Sequence, residues 1–524
     1  MKTGITLAVN ADIYTMRGRQ RAQAMAWEKG RGTILEVGGQ REITNRFKTV
    51  SPEVIDLKGK VVLPGFTDCH THFCNWCLLQ FQPNLEAERS IEGCLRLIKK
   101  YLNNTAPGEW LTGTGWNRNV WAEDRLPNRH DLDQVSKKNP VALWSKDWHT
   151  LWVNSLALKL LVLDKKTPEI AGGKIERDKE GRPIGLLREE AANRAYQRIP
   201  PISDQKYLQA LMMGQGKFAR MGLTGFHAME GPAEYRLLGM LAGRGQMFQR
   251  GVMFFRQEHL DELVGLKFAS GWGGRSLRLG GLKLFVDGSL GSQTALMLKP
   301  YEQSRYKGMA ALEKCELQAL VRKASENGLA CAIHAIGDAA NSMALDAFQK
   351  ARDIDRRIRH RIEHCQLVRP TDVGRYRELG IIASVQPTHC PSDLDLIEKH
   401  WGPRGRNAYP FGSLARAGVK LAFGSDAPIE TPDPFLAIQS AVTRQRAPAD
   451  RPPFFPEQRF SLWDSLKAYT IDAAYASGDE GWKGTLEPGK VADFICLSED
   501  IFRVKPGEIH QVRAEKTFVG GREV

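Results

Sequence analysis

The chain has 524 residues, too many for one simple core, so roughly two to four domains or one large α/β barrel are expected. Hydrophobic residues at 42% and charged residues at 26% are those of a globular protein, and no apolar run reaches the roughly 18 residues of a membrane span. Lys+Arg at 74 against Asp+Glu at 60 gives +14, but these charges are spread along the chain, which argues against a nucleic-acid surface.

The densest basic cluster, Arg356-Arg357-Ile358-Arg359-His360-Arg361, is short and reads as a solvated helix end beside a strand. Nine cysteines, an odd number, read as reduced thiols and not a disulfide framework. Cys74-Asn75-Trp76-Cys77 is a lone C-x-x-C, better explained by buried thiols near a pocket than by a zinc knuckle. The opening segment, MKTGITLAVNADIYTMRGRQ, has no long apolar h-region or small-residue cleavage site, so a cytoplasmic location is expected.

In chain order, residues 1–59 read as a small β unit with strands Ile5–Val9, Ile13–Met16, Ala22–Trp27 and Thr33–Val37. This is too little to bury its own core. Its other half is expected in residues 476–524, where Phe494–Leu497, Val512–Ala514 and Thr517–Arg522 resemble a closing hairpin, giving a β-sandwich built from both ends. Residues 60–475 hold eight strand candidates: Val61–Leu63, Gly222–Met229, Gln249–Phe255, Arg278–Val286, Leu329–Ile336, Arg361–Cys365, Ile381–Gln386 and Val419–Gly424. Helical patterns such as Lys314–Glu326 and Ala339–Arg352 separate most of them, which implies parallel pairing and a closed barrel with its chemistry at the C-terminal strand ends. Residues 75–221 form an insert too long for a loop. It is rich in tryptophan and carries a hairpin whose turn falls near Asp178–Gly181.

The stretch LPGFTDCHTHF, Leu63–Phe73, places His70 and His72 two apart after an apolar run. Alternation along a strand points both imidazoles to one side, where they can hold one metal ion; two unrelated loop histidines are the alternative. The other strand ends deliver Lys283, His334, His364 and Asp426. A buried histidine or aspartate needs a partner, so a purely packing role for the whole set is a poor explanation.

The segments PGFTDCHTHF, GLKLFVDGSLGSQTA, CAIHAIGDAA, RIEHCQ, SVQPTHC, FGSDAPIE and LEPGKVADFICL together resemble the amidohydrolase superfamily, in the branch called amidohydrolase family 3, with proteins of the N-substituted formamide deformylase kind. The resemblance implies an α/β fold: a distorted (β/α)8 TIM barrel, a flanking β-sandwich and a large insert between strands one and two. It implies two divalent ions, zinc fitting best with iron or manganese next. His70 and His72 would hold one and His334 and His364 the other. Lys283, carboxylated, would bridge them. Asp426 would bind the first and act as general base and acid while a hydroxide bridging the metals attacks. The alternative for Lys283 is a charged lysine paired with Asp287 or Glu363.

Trp116, His149 and Asn154 resemble substrate-contact positions of the family's insert, with insert packing as the alternative. The same choice holds for His227. His389, in Gln386-Pro387-Thr388-His389, follows strand seven and is favoured as a substrate contact over a histidine that only supports the ligands. Arg118, Arg256 and Arg305 could receive a carboxylate. The expected activity is hydrolysis of a non-peptide carbon–nitrogen bond in a small molecule, an amide or N-acyl or N-formyl compound, without nucleic acid or membrane and with a homodimer left open. A mononuclear deaminase is the alternative enzyme. A non-catalytic barrel used for assembly is the alternative of another class, and the intact set of ligand positions argues against it.

Overall fold

The computed structural model describes residues 4–524. At its centre are eight parallel strands: β1 (Phe66–Thr71), β2 (Leu223–Ala228), β3 (Arg250–Arg256), β4 (Leu277–Phe285), β5 (Ala330–Ala335), β6 (Arg361–His364), β7 (Ile382–Val385) and β8 (Leu421–Phe423). They pair in sequence order. The ring is drawn together just beyond β8, where the N–H groups of Ser425 and Asp426 donate to the His70 carbonyl at 3.2 and 2.7 Å. His72 N–H donates to Ala427 O at 2.8 Å.

The outer helices follow from apolar residues at helical spacing. In Asp338–Ala351 the buried set includes Ala340, Ala344, Leu345, Ala347 and Phe348, one stripe turned to the strands. Helix Pro370–Glu378 opens on proline, whose missing N–H costs nothing there. Gly380 beyond it takes φ 68, a left-handed value that suits glycine.

The first barrel strand differs from expectation. Val61–Leu63 ends a twelve-residue strand, Glu53–Pro64, that belongs to a different sheet. The chain breaks at Pro64-Gly65, and a Cβ on Gly65 would come within 2.2 Å of the Thr224 side chain, so only glycine fits this passage into β1. All six residues of β1 are buried, yet four of them are polar or histidine, so no apolar run announces the strand.

That second sheet has eight strands and contains both ends of the chain. Its order runs Arg522–Glu523, Ala514–Val519, Phe494–Leu497, Glu53–Pro64, Ile5–Tyr14, Ala24–Glu28 and Ile34–Gly38, with Arg21–Ala22 paired beside Ile5–Tyr14. The two strands expected at Ile5–Val9 and Ile13–Met16 are one, with a register shift between Val9 and Ala11 and φ 52 at Asn10. Trp27, Val62, Phe494 and Phe518 fill its core, and the two phenylalanine rings stack at 4.3 Å.

Asn75–Leu211 is a compact unit of its own. Its five-stranded sheet runs Gly173–Arg177, Pro183–Glu189, Thr150–Val153, Val141–Ser145 and Leu111–Trp116. The expected hairpin is present: Asp178 accepts from the N–H groups of Glu180 and Arg182 at 3.0 and 2.8 Å, and Gly181 takes φ 77. Trp116, Trp121 and Trp152 pack together in its core, with ring centroids 5.8 to 6.2 Å apart.

The basic cluster is only partly solvated. Arg356 and Arg357 are exposed and pair with Asp353 and Asp355. Arg361 opens β6 and is fully buried. Among the described residues no helix is long and apolar enough to cross a membrane.

Candidate metal centre

The C-terminal ends of five strands bring the sequence-predicted residues together. His70 lies within β1 and His72 just after it, Lys283 lies in β4, His334 in β5, His364 at the end of β6, and Asp426 follows β8. Asp426 sits at the focus. Its Oδ1 is 3.4 Å from His70 Nε2 and 3.3 Å from His72 Nε2, and its Oδ2 is 3.9 Å from His389 Nε2. The His364 ring lies 4.9 Å from that of His70 and 4.4 Å from that of His334. His70, His364 and Asp426 offer ligand atoms that all lie within 4.8 Å of one another.

Hydrogen bonds set the imidazole tautomers. Glu363 Oε2 lies 2.5 Å from His70 Nδ1 and accepts its proton, so Nε2 is the nitrogen that faces Asp426. His334 donates from Nε2 to Gly288 O at 3.1 Å, which leaves Nδ1 free. His364 Nδ1 has no hydrogen-bond partner. Burial, then the Lys283 charge, push His334 down to about 3, and burial with the neighbouring His334 holds His364 well below the usual histidine value. Neutral imidazoles are the form that ligates a metal. Burial alone would raise the Asp426 carboxyl; His70, His72 and His364 outweigh it and hold it well below the usual carboxylate range.

Lys283 is buried, with no hydrogen-bond partner on Nζ, and the atom lies 5.0 Å from the Phe285 ring centroid. It pairs with neither of the two carboxylates considered for it. Asp287 accepts the N–H groups of Leu296, Ile336 and Gly337 at 2.8 to 3.0 Å, and burial pushes it up to about 7. Glu363 is taken by His70 and by Arg361, whose Nε is 2.5 Å away. Although burial raises Glu363, Arg361 and His70 bring it down to about 2. Burial brings Lys283 down to about 8. A lysine that loses its proton readily becomes an amine able to take up carbon dioxide.

His364, Cys365 and Asp426 all have left-handed backbones, with φ 74, 47 and 59. Such values in non-glycine residues are costly and gather at functional sites. Consecutive Glu363 and His364 thereby both reach His70, which regular strand alternation would forbid. Burial and the Lys283 charge would lower His70, but Glu363 and Asp426 outweigh them and raise it. The donor set of imidazoles, an ionised carboxylate and an unpartnered amine fits a divalent ion. Cys69 beside it is pushed well up by burial and is not a thiolate ligand.

Trp116, His149 and Asn154 belong to the insert unit, and His227 to β2. Trp116 is in the insert core, its indole N–H donating to Leu143 O at 2.9 Å, and it lines a cavity of about 560 Å³ within the insert. His149 is exposed and bonded to Glu189. Asn154 is fully buried and caps helix Ser155–Leu160 by accepting from Ala157 N–H, a folding role. His227 is fully buried, its Nδ1 accepting from Arg361 at 3.0 Å. Sequence reasoning missed Arg361 and named Glu363 only as a partner for Lys283; their two-residue spacing on one strand was the available signal.

A parallel eight-stranded barrel with histidines and an aspartate at its C-terminal strand ends defines a metal-dependent hydrolase. The amidohydrolase family matches residues 53–524, and the chain belongs to that family. It is 33% identical over 540 residues to the Protein LONG AFTER FAR-RED 3 of Arabidopsis thaliana, covering 99% of this chain and 91% of the relative. It is 28% identical to the N-substituted formamide deformylase of Arthrobacter pascens, covering 98% and 97%. The crystal structure of an uncharacterized metal-dependent hydrolase from Pyrococcus furiosus superposes with a TM-score of 0.80 at 30% identity, covering 95% of this chain and 99% of that one.

Proposed function

We propose that the chain hydrolyses a non-peptide carbon–nitrogen bond in an amide or N-acyl small molecule, with N-formyl compounds foremost. The observation that carries this reading is Asp426 set between His70 and His72 beside the unpartnered Lys283 amine. The similarity to the N-substituted formamide deformylase supports the choice of a formamide bond.

In this reading His70, His72 and Asp426 would hold one divalent ion and His334 and His364 a second, with Lys283, once carboxylated, as a ligand shared by both and zinc as the metal. Bound there, the ions polarise a substrate carbonyl and lower the pKa of water toward about 7. The chain's own residues do the rest. Asp426 Oδ2, which carries none of the two close imidazole contacts, takes the proton from the attacking water and returns it to the leaving nitrogen. His389 accepts at Nδ1 from Gln366 at 3.4 Å, so its Nε2 carries a proton, has no hydrogen-bond partner and in this reading donates to the substrate carbonyl. From the sequence resemblance alone, Trp116 and His149 are also assigned to the substrate.

A second reading is a single-metal deaminase. The close group of His70, His364 and Asp426 favours it, since those three suffice for one ion. A screen of metal-loaded protein against N-formyl, N-acyl, cyclic amide and aminopurine compounds decides between them. Release of formate or another acid from an amide is the expected result. Ammonia from an aminopurine with no amide turnover would replace the first reading by the second, and inactivity on all four classes would sink both.

A further inference from the structure

Arg361, Glu363 and His70 form a chain of contacts that the proposed chemistry leaves without a role. Arg361 and Glu363 are two apart on β6, so they share one face of the strand. Both are at 0% exposure. Arg361 Nε lies 2.5 Å from Glu363 Oε1, and Glu363 Oε2 lies 2.5 Å from His70 Nδ1. Arg361 also donates from Nη2 to Cys69 O and from Nη1 to His227 Nδ1, each at 3.0 Å. One guanidinium thus ties β6 to β1 and β2 directly under His70.

A buried ion pair is a poor device for stability. Removing two charges from water costs several kcal/mol per ion, and well-packed apolar residues of the same volume often serve as well. A site-directed role explains the pair better. Glu363 is the only described acceptor on His70 Nδ1, and the residue that donates to Cys69 O grips the chain one position before His70.

We infer that Glu363 and Arg361 are positioning residues for the His70 ligand. Glu363 holds the Nδ1–H tautomer, which presents the Nε2 lone pair toward Asp426, and Arg361 fixes the carboxylate and the β1 backbone in the matching register. Partners of this kind behind a metal-bound histidine tune affinity by roughly 10- to 100-fold. The inference rests on the reading of His70 as a metal ligand.

The test is a comparison of wild type, Glu363→Gln, Glu363→Asp and the double variant Arg361→Met/Glu363→Gln. Zinc affinity is read by chelator competition, the ligand field by the visible spectrum of the Co²⁺-loaded protein, and stability by unfolding of the metal-free protein. The double variant removes both charges, so it should regain the stability that Glu363→Gln loses, while its zinc affinity stays roughly 10- to 100-fold below wild type and its Co²⁺ spectrum shifted. Wild-type affinity and spectrum in the double variant would make the pair structural only and overturn the inference. Should neither glutamine variant fold, Glu363→Asp decides: it keeps the charge and withdraws it by one methylene, so unchanged zinc affinity overturns the inference and a tenfold loss supports it. Wild-type protein that binds no divalent ion overturns the metal-centre reading and this inference with it.

Discussion

The backbone N–H of Asp426 donates to the carbonyl of His70 at 2.7 Å while their side chains meet at 3.4 Å. The contact that brings the last strand to the first is therefore the contact that assembles the site. Gly424 makes it possible, since a Cβ there would come within 2.4 Å of His70 N. The carboxylate is placed by barrel closure, and its charge is held by the facing imidazoles. Asp426→Asn keeps the shape and one ligand oxygen but cannot take a proton. The expected outcome is a kcat lower by roughly 10²- to 10⁴-fold, with metal content largely kept. Unchanged turnover in steady-state assays would remove Asp426 from proton transfer.

Lys283 has no hydrogen-bond partner among the described residues and no acceptor of its own as an ammonium. As a carbamate it gains two oxygens: the neutral amine adds carbon dioxide and releases one proton. Elemental analysis of protein purified without chelator should find about two metals per chain. Lys283→Ala should hold about one and lose activity, with part of it restored by short carboxylic acids that fill the vacated bridge. One ion or none in the wild type would sink the two-metal site.

The same residue has a thermodynamic signature. Burial lowers Lys283 from 10.5 to about 8, so between those values the unfolded chain binds the extra proton and the folded one does not. Stability of metal-free protein therefore rises with pH through that window, and below about 8 the buried ammonium costs the fold on the order of 3 kcal/mol. Lys283→Met in metal-free, carbon dioxide-free buffer should be more stable than wild type at pH 7, by roughly 1–3 kcal/mol. The gap should close as the pH approaches the unfolded value. Denaturant unfolding at pH 7 and pH 10 checks this, and a variant less stable at pH 7 would show that the amine is not the burden assigned to it.

Seven of the eight barrel strands were legible because most are short apolar runs between helical patterns, and polar residues at the ends of such runs drew notice because a buried polar group needs a partner. β1 was not, because Phe66–Thr71 is itself mostly polar and is buried on every residue. Arg361 was misread for a different cause. Its neighbours in the chain are solvated arginines, whereas its partners Cys69 and His227 are 292 and 134 positions away. His227 sits at a strand end in the sequence, yet the same long-range bond takes it into the barrel interior. Asn154 was named only because it resembles a substrate-contact position of the family's insert, and here the helix cap claims it.

His389 offers the clearest separation of binding from catalysis. Its ring lies 6.1 Å from that of His364 in a stacked arrangement, and Gln366 occupies its Nδ1, so the remaining donor is Nε2. Asp426 Oδ2 is 3.9 Å away, and a buried donor without a hydrogen bond is costly unless something arrives to accept from it. A substrate carbonyl is that acceptor in our reading, and the bond strengthens as negative charge develops on the oxygen. His389→Ala should then lower kcat by roughly 10²- to 10³-fold with metal content unchanged. Gln366→Leu leaves the ring in place but removes the bond that selects its tautomer, so it should give a smaller loss in the same direction. A rise in KM at constant kcat would instead mark His389 as a ground-state contact. Full activity in both variants would return it to the histidines that only support the ligands.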